Sequence, residues 1–164
     1  MAAVQKFRAV PFSKAVGGHF LIVEATFYEK ISALLLEGAR RALNKAKASY
    51  ALLTVSGALE IPLAMAIALD HAEDEAAPFD GAVALGCVMR GETYHFEIVA
   101  NESARALMQL AVLRKLPLGN GILTVENESQ AISRADPRQG DKGGEAVRAA
   151  LSLFELKSRR AAGR

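Results

Sequence analysis

The chain has 164 residues, 51% of them hydrophobic, enough for one domain that buries most of its apolar surface without staples. Lys and Arg number 20 against 18 Asp and Glu, and a net charge of +2 argues for neither a nucleic-acid partner nor an acidic membrane surface. A single cysteine, Cys87, excludes an internal disulfide, and no Cys/His spacing marks a metal site. No apolar run reaches the roughly 18 residues of a membrane span, and the opening MAAVQKFRAVPFSKAVGG lacks a signal-peptide core, so the expected location is the cytoplasm.

In chain order, residues 19–23 read as a strand and 28–47 as a helix whose Ile31, Leu34, Leu35, Ala39 and Leu43 share one face. A second strand over 50–55 leads to a helix over 58–75, and a third over 81–85 to a helix over 92–115, with Pro117 just beyond its end. The fourth strand, 121–125, precedes a short helix over 129–135 and a longer one over 142–157, separated by a kink at 136–140. Continuous apolar strands, each followed by a helix, predict an α/β fold: a three-layer αβα sandwich on a four-stranded parallel sheet. The domain spans 19–158, after an N-terminal arm over 1–18. A frayed basic tail over 159–164 is too short, and too poor in aromatic residues, to grip nucleic acid.

Ligands of open parallel sheets bind beyond the carboxyl ends of the strands, so the strand-to-helix turns are the places to read for chemistry. After the first strand, Phe27 stands where a flat heterocycle could stack on it, or it packs under its own helix. After the second, Gly57 allows close approach to the backbone and Glu60 can accept hydrogen bonds from sugar hydroxyls; a first-turn glutamate also complements the helix dipole.

The third turn, Arg90-Gly91-Glu92-Thr93-Tyr94-His95, is the most informative. Amides of Gly91, Glu92 and Thr93 at a helix N-terminus suit a phosphate. His95, one turn further in, sits where the dipole disfavours the imidazolium, which leaves either a general base or a capping histidine. His19 and His71 have no comparable setting. Cys87 has no histidine partner and reads as a small apolar wall. Arg134 lies in a charged segment, where it is a surface residue or a bidentate phosphate clamp.

GALEIP at 57–62, RGETYHFE at 90–97, and NGILTVEN from 120 followed by QA and DKGGEA stand in one order with matching gaps, and together they resemble the lumazine synthase family over about residues 19–155. The resemblance implies flavodoxin-like strand order. It also implies an enzyme, a transferase of riboflavin biosynthesis that condenses 5-amino-6-ribitylaminouracil with 3,4-dihydroxy-2-butanone 4-phosphate to give 6,7-dimethyl-8-ribityllumazine, phosphate and water. Neither cofactor nor metal is implied, because the substrates are already reactive and the site orients them and moves protons.

By the same resemblance, Phe27 stacks on the pyrimidine, Ala58, Leu59 and Glu60 hold the ribityl chain, and Cys87, Val88 and Met89 border the ring. Glu92 and Thr93 give amides to the phosphate, Arg134 binds it, and His95 transfers protons. Asn120 stands where many members carry a phenylalanine against the ring. Asn120, Arg134 and Lys142 are expected to face the site from a neighbouring subunit of a pentamer, and twelve pentamers to close an icosahedral shell. Residues 4–10 are expected to add a strand to that neighbour. A module that binds a lumazine or flavin without turnover is the alternative; a phosphate pocket coupled to a base counts against it.

Overall fold

A computed structural model describes residues 17–162. Strand β1 (His19–Ala25) leads to α1 (Glu29–Lys45), and β2 (Ser49–Val55) to a single 3-10 turn (Ala58–Glu60) and α2 (Ile61–Asp74). Then β3 (Gly81–Met89) leads to α3 (His95–Arg114), and β4 (Leu118–Val125) to α4 (Glu128–Ala135) and α5 (Lys142–Ala162). All pairings are parallel, in the order β2-β1-β3-β4, the flavodoxin-like order. The segment expected to add to a neighbour's sheet, residues 4–10, lies outside the described residues.

The strands are apolar along their length because helices cover both faces. Phe20, Ile22, Val83, Leu85, Leu123 and Val125 point into one core with α1, α4 and α5. Leu21, Val23, Ala82 and Ala84 point the other way, against Ile61, Met65 and Leu69 of α2 and Leu107 of α3. The four strand-helix cycles and three layers are therefore as the sequence predicts.

Several boundaries differ from the sequence reading, each for a physical reason. β3 continues to Met89 rather than stopping at Leu85, because β4 pairs alongside it from Ala82↔Leu118 to Met89↔Val125 and satisfies one edge of the extension. β4 starts at Leu118 because its early glycine is a packing position rather than a turn: a Cβ on Gly119 would lie 1.8 Å from the Ala146 carbonyl oxygen of α5. α3 begins at His95 rather than at 92, since residues 90–94 are needed to climb from the longer β3. At the other end of the chain, α5 runs on past 157 to Ala162.

The kink between α4 and α5 is built around Asp136. Its carboxylate, buried at 5% exposure, accepts from the Arg138 amide at 2.9 Å, from Arg138 Nε at 3.1 Å and Nη2 at 2.9 Å, and from Gln139 Nε2 at 3.3 Å. The backbone closes behind it through Gly140 N–H to the Ser133 carbonyl and Asp141 N–H to the Asp136 carbonyl.

Two stability predictions follow from these contacts. Gly119→Ala forces α5 off the sheet, because the obstacle is backbone, and should cost about 1–3 kcal/mol, read as a lower Tm of a correctly assembled protein. The Arg138 guanidinium and amide hold the Asp136 carboxyl well below the usual carboxylate range. Its contribution is thus present at neutral pH and disappears as the pH falls below the ordinary aspartate value of about 4. Between pH 5 and 3, a range set around that value, the Tm of the wild type should fall more steeply than that of Asp136→Asn, followed by thermal melts.

Candidate active site

β1 pairs with β3 only as far as Glu24↔Leu85, while β4 accompanies β3 to its end. Residues Gly86 to Met89 therefore have no strand on the β1 side, and a cavity of about 410 Å³ opens there at the carboxyl edge of the sheet. Phe27 and Tyr28 line it from the end of β1, Ser56 to Glu60 from the end of β2, and Cys87, Val88 and Met89 from β3 itself. Gly91, Thr93, His95, Phe96 and Val99 complete it from the turn and first coils of α3.

Phe27 is 72% exposed, which rules out packing beneath its own helix. The turn holding it is fixed by Thr26 N–H donating to the Val55 carbonyl at 3.1 Å, and its ring meets that of Tyr28 edge-on at 5.0 Å. Behind the turn the buried Glu24 accepts from the hydroxyls of Ser32 at 3.0 Å and Thr54 at 3.1 Å, joining β1, α1 and β2. Across the cavity, Glu60 folds back over the β2 turn: a Cβ on Gly57 would come within 2.8 Å of Glu60 Oε2. The glycine makes room for a carboxylate of its own chain. Ala58 is buried against Val88 and Val99, and Leu59 is exposed.

Gly91, Glu92 and Thr93 form the turn before α3 rather than its first coil, and among the described residues none of their N–H groups meets a protein acceptor. Three amides are thus open beside a helix N-terminus. His95 is the first residue of α3, not one turn in; its backbone N lies 3.5 Å from Thr93 Oγ1. Its imidazole is exposed and has no protein hydrogen-bond partner among the described residues, so it neither caps the helix nor packs in the core. It is available to a ligand in the cavity it lines. Glu92 is exposed and points its side chain outside that lining.

The chain is similar to proteins of one family. The family model for 6,7-dimethyl-8-ribityllumazine synthase matches residues 17–158. A protein of that name from Methylocella silvestris is 67% identical over 145 residues, 88% of each chain. The synthase 1 of Rhizobium meliloti is 62% identical over 86% of this chain and 92% of its own. A relative from Rhodopseudomonas palustris is 53% identical over 99% of this chain and all of its own length. The chain belongs to the 6,7-dimethyl-8-ribityllumazine synthase family.

Three of the residues that the lumazine synthase resemblance singles out lie apart from this cavity. Asn120 borders a second groove of about 530 Å³ with Arg90, Phe96, Ile122 and Thr124, and its Oδ1 accepts from the Ile122 amide at 3.0 Å. Arg134, in the last turn of α4, reaches back to the Gln130 carbonyl at 3.2 Å. Lys142 opens α5 paired with Glu145 at 2.6 Å. Neither lines either cavity. His19 stacks on Phe79, and His71 is exposed near the end of α2.

Tyr28, Ser56, Phe96 and Val99 also line the cavity, although sequence reasoning did not single them out. Phe96 and Val99 could have been found from i to i+3 spacing on a helix whose first residue is His95. Tyr28 and Ser56 carry no such signal. Among the described residues no cluster of His, Cys, Asp and Glu is arranged to hold a metal ion, and no helix is long and apolar enough to cross a membrane.

Burial pushes the Cys87 thiol up to about 11. At pH 8 the reactive thiolate is then a trace species, about 10⁻³ of the total by the ordinary titration relation, against roughly a quarter for a free cysteine of pKa about 8.5. Cys87 should react with iodoacetamide more than a hundred times slower than a free thiol by that same ratio, and a rate within threefold of free cysteine would overturn this assignment.

Proposed function

We propose that this chain condenses 5-amino-6-ribitylaminouracil with 3,4-dihydroxy-2-butanone 4-phosphate to form 6,7-dimethyl-8-ribityllumazine in the cytoplasm, as a step of riboflavin biosynthesis. The observation that carries the reading is the meeting, in one cavity, of two chemically different walls: an exposed aromatic ring with a carboxylate opposite, and a turn of unpartnered amides with a free imidazole. The relatives named for this reaction match across both walls.

In this reading Phe27 stacks on the pyrimidine, whose edge lies along Cys87, Val88 and Met89. Glu60 accepts hydrogen bonds from ribityl hydroxyls, with the backbone from Gly57 to Leu59 beside the chain. The phosphate rests on the amides of the turn at Gly91, Glu92 and Thr93, where the α3 dipole also favours an anion. The 5-amino group attacks the ketone carbon and water leaves to give an imine. Loss of the proton on the hydroxyl-bearing carbon then expels phosphate, the enol so formed tautomerises to a new carbonyl with a terminal methyl, and attack of the ribitylamino nitrogen on that carbonyl closes the ring with loss of a second water. His95 takes and returns the protons of these steps. Holding two reactive substrates in register supplies most of the acceleration.

The site is shared in this reading between neighbours in a five-membered ring, with Asn120, Arg134 and Lys142 contributed by the adjacent subunit. Two features support it. Arg134 and Lys142 stand away from the cavity of their own chain, and the 3-10 turn, α2 and α3 carry exposed apolar residues: Leu59, Leu63 and Ile67 at four-residue spacing, and Met108 and Val112 on α3. A heterologous contact repeated by rotation closes a ring with one site per interface. The short connection between α4 and α5, without an insertion, favours further assembly into a shell of twelve pentamers.

The test follows lumazine fluorescence and phosphate release with both substrates, above the spontaneous rate; folded protein that gives no acceleration is a passive binder. His95→Ala should slow turnover nearer tenfold than the upper end of the roughly 10²–10⁴-fold typical of a general base, since the substrates react unaided. Arg134→Ala should raise the KM of the sugar phosphate far more than that of the ribityl-aminouracil. Coassembled at equal ratio, the two variants should regain about one quarter of their interfaces as intact sites. No recovery despite subunit exchange would place the whole site within one chain.

A further inference from the structure

The turn that offers its amides is held by very little of its own structure. Residues 91–94 make no backbone hydrogen bond to one another, and the only side-chain contact inside the turn is the long one from His95 N–H to Thr93 Oγ1, at 3.5 Å. A Cβ on Gly91 would touch nothing within 4 Å, so packing does not fix the turn either. It is pinned at its two ends, by Arg90 N–H to the Val125 carbonyl at 2.9 Å and by Glu97 N–H to the Tyr94 carbonyl at 3.1 Å.

The Arg90 side chain joins those ends. Nη1 donates to Glu97 Oε1 at 2.5 Å, closing the segment between residues 90 and 97 into a loop. Nε donates to Glu126 Oε2 at 2.8 Å, just past the end of β4, so the loop is also tied to the sheet. The guanidinium carbon lies 4.3 Å from the centre of the Phe96 ring, which borders both cavities. The paired guanidinium holds the Glu97 carboxyl below its ordinary range.

We propose that Arg90 is a positioning residue: with Glu97 and Glu126 it forms a clasp that holds the open amides at Gly91 to Thr93 and the His95 imidazole in their working geometry. The proposal rests on the synthase reading for what that geometry serves. The arginine that precedes the turn is then not the phosphate ligand. Its donors are directed at two carboxylates, and within the turn phosphate recognition falls to backbone amides, preorganised by closing the loop before substrate arrives. A planar fork over an aromatic ring suits this task; a lysine offers one compact charge in its place.

Arg90→Lys, Glu97→Gln and Glu126→Gln test the clasp in the full-length assembled protein, with Tm and assembled mass as controls. Each should lower kcat/KM for the sugar phosphate about tenfold, within the roughly hundredfold that a 1 Å misplacement can cost, and leave the KM of the ribityl-aminouracil unchanged. Arg90→Lys combined with Glu97→Gln should be no worse than either alone, because one clasp is broken only once. Each variant should also be cleaved after Glu92 by a glutamate-specific protease several-fold faster than wild type, without substrate present. Were Arg90 itself the phosphate ligand, the glutamine variants would release it and tighten the sugar-phosphate KM, while Arg90→Lys kept most of its activity; that pattern overturns the proposal. Wild-type cleavage and wild-type kinetics in all three variants would overturn it too. Because the protease readout needs no turnover, clasp-dependent cleavage in a protein that makes no lumazine would sink the synthase reading and leave the clasp standing.

Discussion

The site depends on one mismatch of strand lengths. β1 stops pairing with β3 at Leu85, whereas β4 follows β3 for four further residues to Met89. Extended without a partner on one side, Gly86 to Met89 become a wall instead of a sheet interior. The parallel direction of every strand then brings the turns after β1 and β2 to the same edge. Had β1 run on beside β3, it would have filled the space that Phe27 and Glu60 now face. Had β4 ended with β1, the extension would have lost the hydrogen bonds that keep it a strand.

The mismatch also fixes where the helix dipole acts. A longer β3 delivers the chain to residue 90 well above the sheet, and the five residues before His95 turn it back towards α3. That turn leaves amides without partners, a costly state for buried backbone and an ordinary one for groups exposed to water or an anion. The charge of Arg90 is more than offset by the two carboxylates it faces, so the turn offers directed N–H groups rather than a diffuse positive field. Such a cradle selects an anion by geometry. Glu24 plays the corresponding supporting part behind Phe27, where two hydroxyls tie the buried carboxylate to neighbouring elements.

Much of this was legible in the sequence, because strand apolarity and helix period are local signals: the core positions Ile31, Leu35, Ala39 and Leu43 are buried as their spacing predicts. The motifs at 57–62 and 90–97 located two cavity walls; of the residues the sequence marked in them all but Glu92 line the cavity, and Phe96 lines it unmarked. What the sequence concealed is tertiary. Gly86 and Gly119 fall outside the strands that the apolar runs mark at 81–85 and 121–125, yet both lie inside strands, one paired with Ile122 and the other pressed under Ala146. The exposure of Phe27 could not be read from spacing, which on its own favours burial under the helix. The clasp joins Arg90 to residues 7 and 36 positions away, and the more distant partner, Glu126, becomes a neighbour only when β4 lies beside β3.

On the proposed function, the gap beside the β3 extension holds both substrates, ring towards Phe27 and phosphate towards the turn at Gly91 to Thr93. A crystal structure with inorganic phosphate and a ribityl-substituted pyrimidine analogue tests it most directly. The ring should stack on Phe27, ribityl hydroxyls should hydrogen-bond to Glu60, and phosphate oxygens should lie within about 3.2 Å of amides in that turn, the reach of an N–H to oxygen hydrogen bond. A phosphate held by the Arg90 guanidinium, with the amides of the turn left facing water, would contradict it. So would a ring bound away from Phe27.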